Sequence, residues 1–172
     1  MLAPLPSAPL HVLLYQSSAV RGMTAADLHA IRAASDAWNA ACGVTGLLVY
    51  GEIARLPGLP GQFVQWLEGP EAEVRTLFRR IARDRRHTDL TMLADGPAAR
   101  VAGADARLFP AWTMAVKRLA DVPATLDGFL EYARSVHGRL ADDLPATGTP
   151  ATGTPATARP PQAREHRFNR SA

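Results

Sequence analysis

Three polar side chains interrupt otherwise apolar stretches of this sequence. Tyr15 stands near the end of the run Leu10 to Gln16 (LHVLLYQ). Asn39 closes an amphipathic segment, and Gln65 lies between Val64 and Trp66 in QFVQWL. One phenol and two carboxamides supply several donors and acceptors but no charge. Taken singly, each has an ordinary reading: a half-buried strand tyrosine, a residue ending a helix, a glutamine on a wet strand face. Taken together, they suit the edge of a flat heterocycle. A buried Gln65 would need partners for two donors and its carbonyl. Both readings stay open at this point.

The elements that must position these residues follow from periodicity. Leu10 to Gln16 is apolar almost throughout, as a central buried strand should be. Thr24 is a good helix N-cap, and Asp27 three residues on makes a near capping box. Leu28, Ile31, Ser35 and Trp38 then share one helical face, and Gly43 ends the helix. Val44 to Tyr50 (VTGLLVY) and Gln62 to Leu67 read as strands. In the latter, alternation puts Phe63, Gln65 and Leu67 on one side and Val64 and Trp66 on the other. Pro70 opens a second helix with Val74, Leu77, Phe78 and Ile81 as its buried stripe. Leu90 to Ala94 and Arg107 to Val116 read as two further strands. Thr125 to Leu140 reads as a terminal helix, with Phe129, Leu130, Ala133, Val136 and Leu140 on one face.

A β-α-β-β-α-β core is the ferredoxin-like pattern, of the α+β class. Right-handed crossovers place its two helices on one face of the sheet. The terminal helix is the natural cover for the other face. The expected organisation is an N-terminal extension over 1–9, a compact domain over 10–118, a helical extension over 119–143 and a tail over 144–172. That tail repeats PATGT, holds few large apolar residues and carries Arg159, Arg164, Arg167 and Arg170. It cannot offset its ordering entropy by burial and is expected to be disordered, either as a solvated tail or as one whose arginines bind an acidic partner. Two connections look long: Gly51 to Gly61, with Pro57 and Pro60, and Pro97 to Phe109. Hairpin loops usually take about two to five residues.

Composition narrows the function classes. The chain has 172 residues, 47% hydrophobic and 20% charged, as an ordinary globular domain does. Its formal charge is +3 and Lys117 is its one lysine. That balance does not argue for nucleic acid. A single cysteine, Cys42, excludes an internal disulfide and any multi-cysteine metal site, which suits a reducing cytoplasm. The N-terminus makes a poor signal peptide, and no apolar run is long enough to span a membrane.

The segments LLYQSS, NAACGVTGLLVY, FVQWLEG, IARDRRH and FPAWTM, in this order, resemble a BLUF domain, the flavin-using sensor of blue light. The resemblance runs from about Leu10 to Val116. It implies FAD held non-covalently between the two helices. It also implies a role for each matching residue. Tyr15 is the photoactive tyrosine, Gln65 the glutamine bridging it to the flavin, and Asn39 the partner of the C4 carbonyl edge. Ser17 stands behind the tyrosine. Ile31 and Ile81 sandwich the ring. Arg80, Asp84, Arg86 and His87 lie near the pyrimidine edge and the ribityl side, where the arginines also read as a solvated helix face. Trp112 and Met114 form the signalling pair on the last strand, where both also read as core. Trp38 stands where the family often has a smaller or polar residue. The resemblance further implies a short, non-enzymatic receptor that signals through a protein partner. Homo-oligomerisation stays open. Two other classes share the fold: a flavin-free adaptor and an acylphosphatase-like enzyme. The latter would use the loop Gln16 to Gly22, which supplies Arg21 but little glycine.

Overall fold

A computed structural model describes residues 9–52 and 59–142, the last six as backbone only. Its strands are β1 (His11–Ala19), β2 (Thr45–Glu52), β3 (Gln62–Gly69), β4 (His87–Pro97) and β5 (Trp112–Arg118). Its helices are α1 (Ala25–Ala41), α2 (Glu71–Ile81), α3 (Ala98–Val101) and α4 (Leu126–Asp142). The strands form one sheet in the order β4-β1-β3-β2-β5. β1 runs antiparallel to β3 and β4, β2 antiparallel to β3, and β5 parallel to β2. This is the ferredoxin-like α+β arrangement with a fifth strand added at the β2 edge.

The sheet separates two cores. On one face, Leu13, Tyr15, Leu48, Phe63 and Leu67 meet Ile31 of α1 and Val74 and Leu77 of α2. On the other, Val12, Leu14, Leu47, Val49, Val64 and Trp66 meet Phe129, Leu130 and Ala133 of α4. The terminal helix therefore covers the face that α1 and α2 leave free. Val136 of its expected stripe is half-buried, and the side chain of Leu140 lies outside the described residues.

Local chemistry explains where the helices begin and end. Thr24 and Asp27 form a full capping box, with Asp27 N–H donating to Thr24 Oγ1 at 3.2 Å and Thr24 N–H to Asp27 Oδ2 at 2.9 Å. Gly43 takes a positive φ of 63° just past α1, a conformation that costs glycine little. Glu71 and Glu73 in the first turn of α2, and Arg79 and Arg80 in its last, complement its dipole. The first turn of α2 is also tied to the sheet. Arg75 joins Glu71 at 2.8 Å and Asp95 of β4 at 3.0 Å, and Asp95 meets the buried His11 at 2.6 Å.

Several boundaries differ from expectation. The last strand starts at Trp112 rather than Arg107. Pro110 has no N–H for a ladder, and the backbone N–H groups of Leu108 and Phe109 donate to a side chain instead. The β2–β3 ladder runs on to Gly51 opposite Gln62. Gly51 is thus strand rather than loop, and 53–58 lie outside the described residues. β4 is longer than Leu90 to Ala94 at both ends. As an edge strand rich in polar residues, it lacks the apolar alternation that would have marked its limits. α3 fills part of the long connection after Pro97. The tail over 144–172 lies outside the described residues.

Candidate functional site

Tyr15 and Gln65 are direct cross-strand partners at the centre of the sheet. Both point to the α1/α2 face. The Tyr15 hydroxyl donates to Gln65 Oε1 at 2.6 Å, with both residues buried. Burial, and then the nearby charge of Asp84, push the Tyr15 phenol far above its ordinary pKa. Tyr15 therefore remains a hydrogen-bond donor across the physiological range. Because Gln65 accepts through its carbonyl, its Nε2 is the end of the amide turned away from Tyr15.

A second group of side chains surrounds this pair. The Tyr15 ring packs on Phe78 at 5.6 Å and meets the edge of His87 at 6.2 Å. His87 Nδ1 lies 2.8 Å from Ser17 Oγ, and its ring stands 4.6 Å from that of Phe63. Burial holds the His87 imidazole below its ordinary pKa. Asp84 accepts from Arg86, whose Nε lies 3.0 Å from both carboxylate oxygens. The Arg86 hydrogen bonds keep that carboxyl below its ordinary pKa.

Asn39 is the least satisfied residue of this face. It is 1% exposed, and neither its Nδ2 nor its Oδ1 has a hydrogen-bond partner. A buried amide left unpaired at both ends costs about 1–3 kcal/mol per group. A ligand presenting a carbonyl beside an N–H would relieve it. The 17-residue helix α1 that carries Asn39 buries only that residue and Ile31. Next to it, Trp38 also has a buried, unpartnered Nε1. Its ring is covered by the Arg80 guanidinium at 3.8 Å. Trp38 and Ser35 of α1 face Leu77, Arg80 and Ile81 of α2 across a cleft of about 290 Å3, which Arg83, Asp84 and Arg86 also line.

Trp112 is a third buried donor without a partner. With Asn39 it lines a cleft of about 440 Å3 between the end of α1 and the start of β5. Met114 is half-buried and packs in the group containing Ile31 and Trp112. Ile81 belongs to the neighbouring group with Tyr15 and Trp38. Ile31 and Ile81 thus sit in separate apolar groups of this face, one on each helix, and of the two Ile81 lines the cleft between α1 and α2.

The family model for BLUF, sensors of blue-light using FAD, matches residues 10–115.

The chain belongs to the BLUF family.

Its cofactor is accordingly FAD, and the unpaired amide of Asn39 and the arginines at the cleft suit the polar edge and phosphates of such a group. Photoactivated adenylate cyclase subunit beta of Euglena gracilis is 35% identical over 130 residues, which is 73% of this chain and 14% of that protein. The corresponding subunit of Euglena longa is 34% identical with the same coverage. The chain therefore spans about one seventh of those relatives. Among solved structures, the BLUF protein BlrB in its dark state is 28% identical with a TM-score of 0.54, covering 78% of this chain and 91% of that one. A bacterial light-regulated adenylyl cyclase is 26% identical with a TM-score of 0.51, covering 80% and 37%.

One feature of the BLUF domain escaped the sequence reading. Glu68 is fully buried, on the face opposite Gln65. The signal was present as an acid within the apolar run FVQWLEG, but strand alternation alone does not say what would satisfy it. Among the described residues, no helix is long and apolar enough to cross a membrane.

Proposed function

We propose that this chain senses blue light by rearranging the hydrogen bond between Tyr15 and Gln65, beside FAD held between α1 and α2. The buried 2.6 Å contact between these two side chains is the observation that carries the reading. Asn39 would bind the polar edge of the ring, and Ile31 and Ile81 would supply its two aliphatic walls. Arg80, Asp84, Arg86 and His87 would line the edge and the chain side of the cofactor. Ser17 would orient His87 behind Tyr15.

FAD supplies the absorption of blue light and, once excited, a strong oxidant. Tyr15 is the donor of this site. Its hydroxyl proton is held by a deep pKa shift and released only with loss of an electron from the ring. With FAD bound, Tyr15 would give that electron and proton to the excited cofactor, the proton by way of the Gln65 amide, and would regain both on recombination, leaving the amide in a changed bonding state by rotation or by tautomerisation. The dark and lit states thus differ in which end of the Gln65 amide faces Tyr15, or in its bond order. A change in one or two buried hydrogen bonds is worth about 1–3 kcal/mol, which shifts a two-state equilibrium about 10- to 100-fold. The output is therefore a poised element rather than a refolding.

The division into a sensor over 10–118, a helical extension over 119–143 and a tail is part of this proposal. So is a protein partner that reads the extension, with the chain itself serving as sensor rather than catalyst. The named relatives support an effector of that kind, since they pair light sensing with a cyclase. The BLUF match argues against the flavin-free adaptor and the acylphosphatase-like enzyme.

Tyr15→Phe and Gln65→Leu test the mechanism. Both variants should purify yellow with FAD bound, and both should lose the light-induced red shift of the flavin spectrum. A yellow Tyr15→Phe protein that still shifts would refute the role of Tyr15. A folded, colourless Gln65→Leu protein would make Gln65 a binding residue rather than a switch.

A further inference from the structure

Glu68 lies three residues beyond Gln65 on β3 and faces the opposite side of the sheet. Its carboxylate meets four donors, which is its full acceptor capacity. Oε1 accepts from Thr45 Oγ1 at 2.9 Å and from the Phe109 N–H at 2.7 Å. Oε2 accepts from Trp66 Nε1 at 3.0 Å and from the Leu108 N–H at 2.9 Å. Arg107 reinforces the same point. It donates to Thr45 Oγ1 at 2.7 Å, to the Glu68 carbonyl at 2.9 Å and to the Gly43 carbonyl at 2.8 Å.

Two of the groups held by Glu68 belong to aromatic residues, and both touch α4. The Trp66 ring stacks on Phe129 at 5.7 Å with an interplanar angle of 8°. Phe109 meets Phe129 edge-on at 6.4 Å. Phe129 is fully buried, so these rings form its seat. Trp66 is also the immediate neighbour of Gln65 on β3, and the two side chains leave one peptide in opposite directions. The same carboxylate fixes the segment that enters β5 at Trp112.

We propose that Glu68 is the positioning residue that couples the Tyr15–Gln65 pair to α4, by holding Trp66 and Phe109 as the two sides of the Phe129 seat. This rests on the function proposed above. A change in the Gln65 amide moves its shared peptide with Trp66. The Trp66 indole moves relative to a carboxylate that cannot follow, because three other donors hold it. The seat loosens, and α4 becomes easier to open.

Hydrogen exchange of the full FAD-loaded chain in dark and light tests this, with the visible spectrum recorded on the same samples. In the wild type, residues 126–136 should exchange faster in light. Glu68→Gln keeps the shape but turns an NH2 toward donors. It should retain the flavin red shift. Its dark exchange over 126–136 should rise about 5- to 10-fold, the loss of roughly one hydrogen bond, and the dark–light difference there should collapse. A merely structural role would raise exchange equally in both states and preserve the difference, which would overturn the proposal. Identical dark and lit exchange in the wild type would overturn it too. If Glu68→Gln fails to fold, Trp66→Phe removes one donor while keeping an aromatic ring on Phe129. A reduced difference supports the coupling, and an unchanged one refutes it. A wild type that shows no red shift would instead refute the function proposed for Tyr15 and Gln65, so the two failures are told apart by the spectrum.

Discussion

On the α4 face of the sheet, Glu68 is fully buried and four donors meet its carboxylate. On the α1/α2 face, Asn39 is buried almost as deeply and neither end of its amide is met. The first face closes its hydrogen-bond accounts within the chain, around the stacked Trp66 and Phe129. The second keeps a clean pair, Tyr15 with Gln65, beside unpaired donors and acceptors and two clefts. A protein stabilised by only a few kcal/mol tolerates such orphans where a ligand completes them. The contrast separates a face built to be packed from a face built to bind, and it can be broken experimentally from either side.

The largest effect is expected on the packed face. Phe129→Ala removes a ring that is 0% exposed and should cost about 3–5 kcal/mol of stability in urea unfolding. In the fraction that remains folded, the dark flavin spectrum should be unchanged. A lost flavin spectrum would mean that FAD binding depends on the packed face.

The binding face should respond the other way. Asn39→Leu deletes an amide that gains nothing within the chain. It should leave the flavin-free protein at least as stable, while weakening FAD about 10- to 100-fold, or 1–3 kcal/mol. Titration of the flavin-free protein with FAD and thermal unfolding of the same sample measure both. A marked loss of flavin-free stability would show that Asn39 is structural.

The smallest effect concerns pH. His87 is held neutral by burial, below its ordinary pKa of about 6.5. The unfolded chain therefore takes up a proton at this position before the folded one does. Stability from this source is complete above about pH 6.5 and declines as pH falls from there toward the folded-state pKa. His87→Phe should flatten that part of the melting-temperature profile between about pH 7 and 5. An unaltered slope would assign the dependence to another group.

The strands β1 and β3, the capped helix α1 and the amphipathic α2 and α4 were legible because burial on a face leaves a period of 2 or 3.6 in the chain. Tyr15, Asn39 and Gln65 were legible as polar exceptions within those periods. The extents of β4 and β5 were not. β4 is an edge strand whose solvent-facing residues carry no period. Arg107 to Ala111 is apolar enough to read as strand, yet its backbone donors are taken by Glu68 from elsewhere in the chain.

By itself, then, the sequence determined which residues are apolar, on which side of each element they fall, and that a phenol and two amides are set among them. Local spacing suffices for that, since alternation along a strand and the helical repeat are properties of consecutive residues. Only the tertiary structure decided who meets whom. It set Tyr15 opposite Gln65 through the β1–β3 register. It left Asn39 unpaired and the Arg80 guanidinium on Trp38. It also brought Thr45, Trp66, Leu108 and Phe109 to one carboxylate. Hydrogen bonds of a buried group depend on the positions of distant backbone and side-chain atoms in three dimensions, and no period in the chain encodes them.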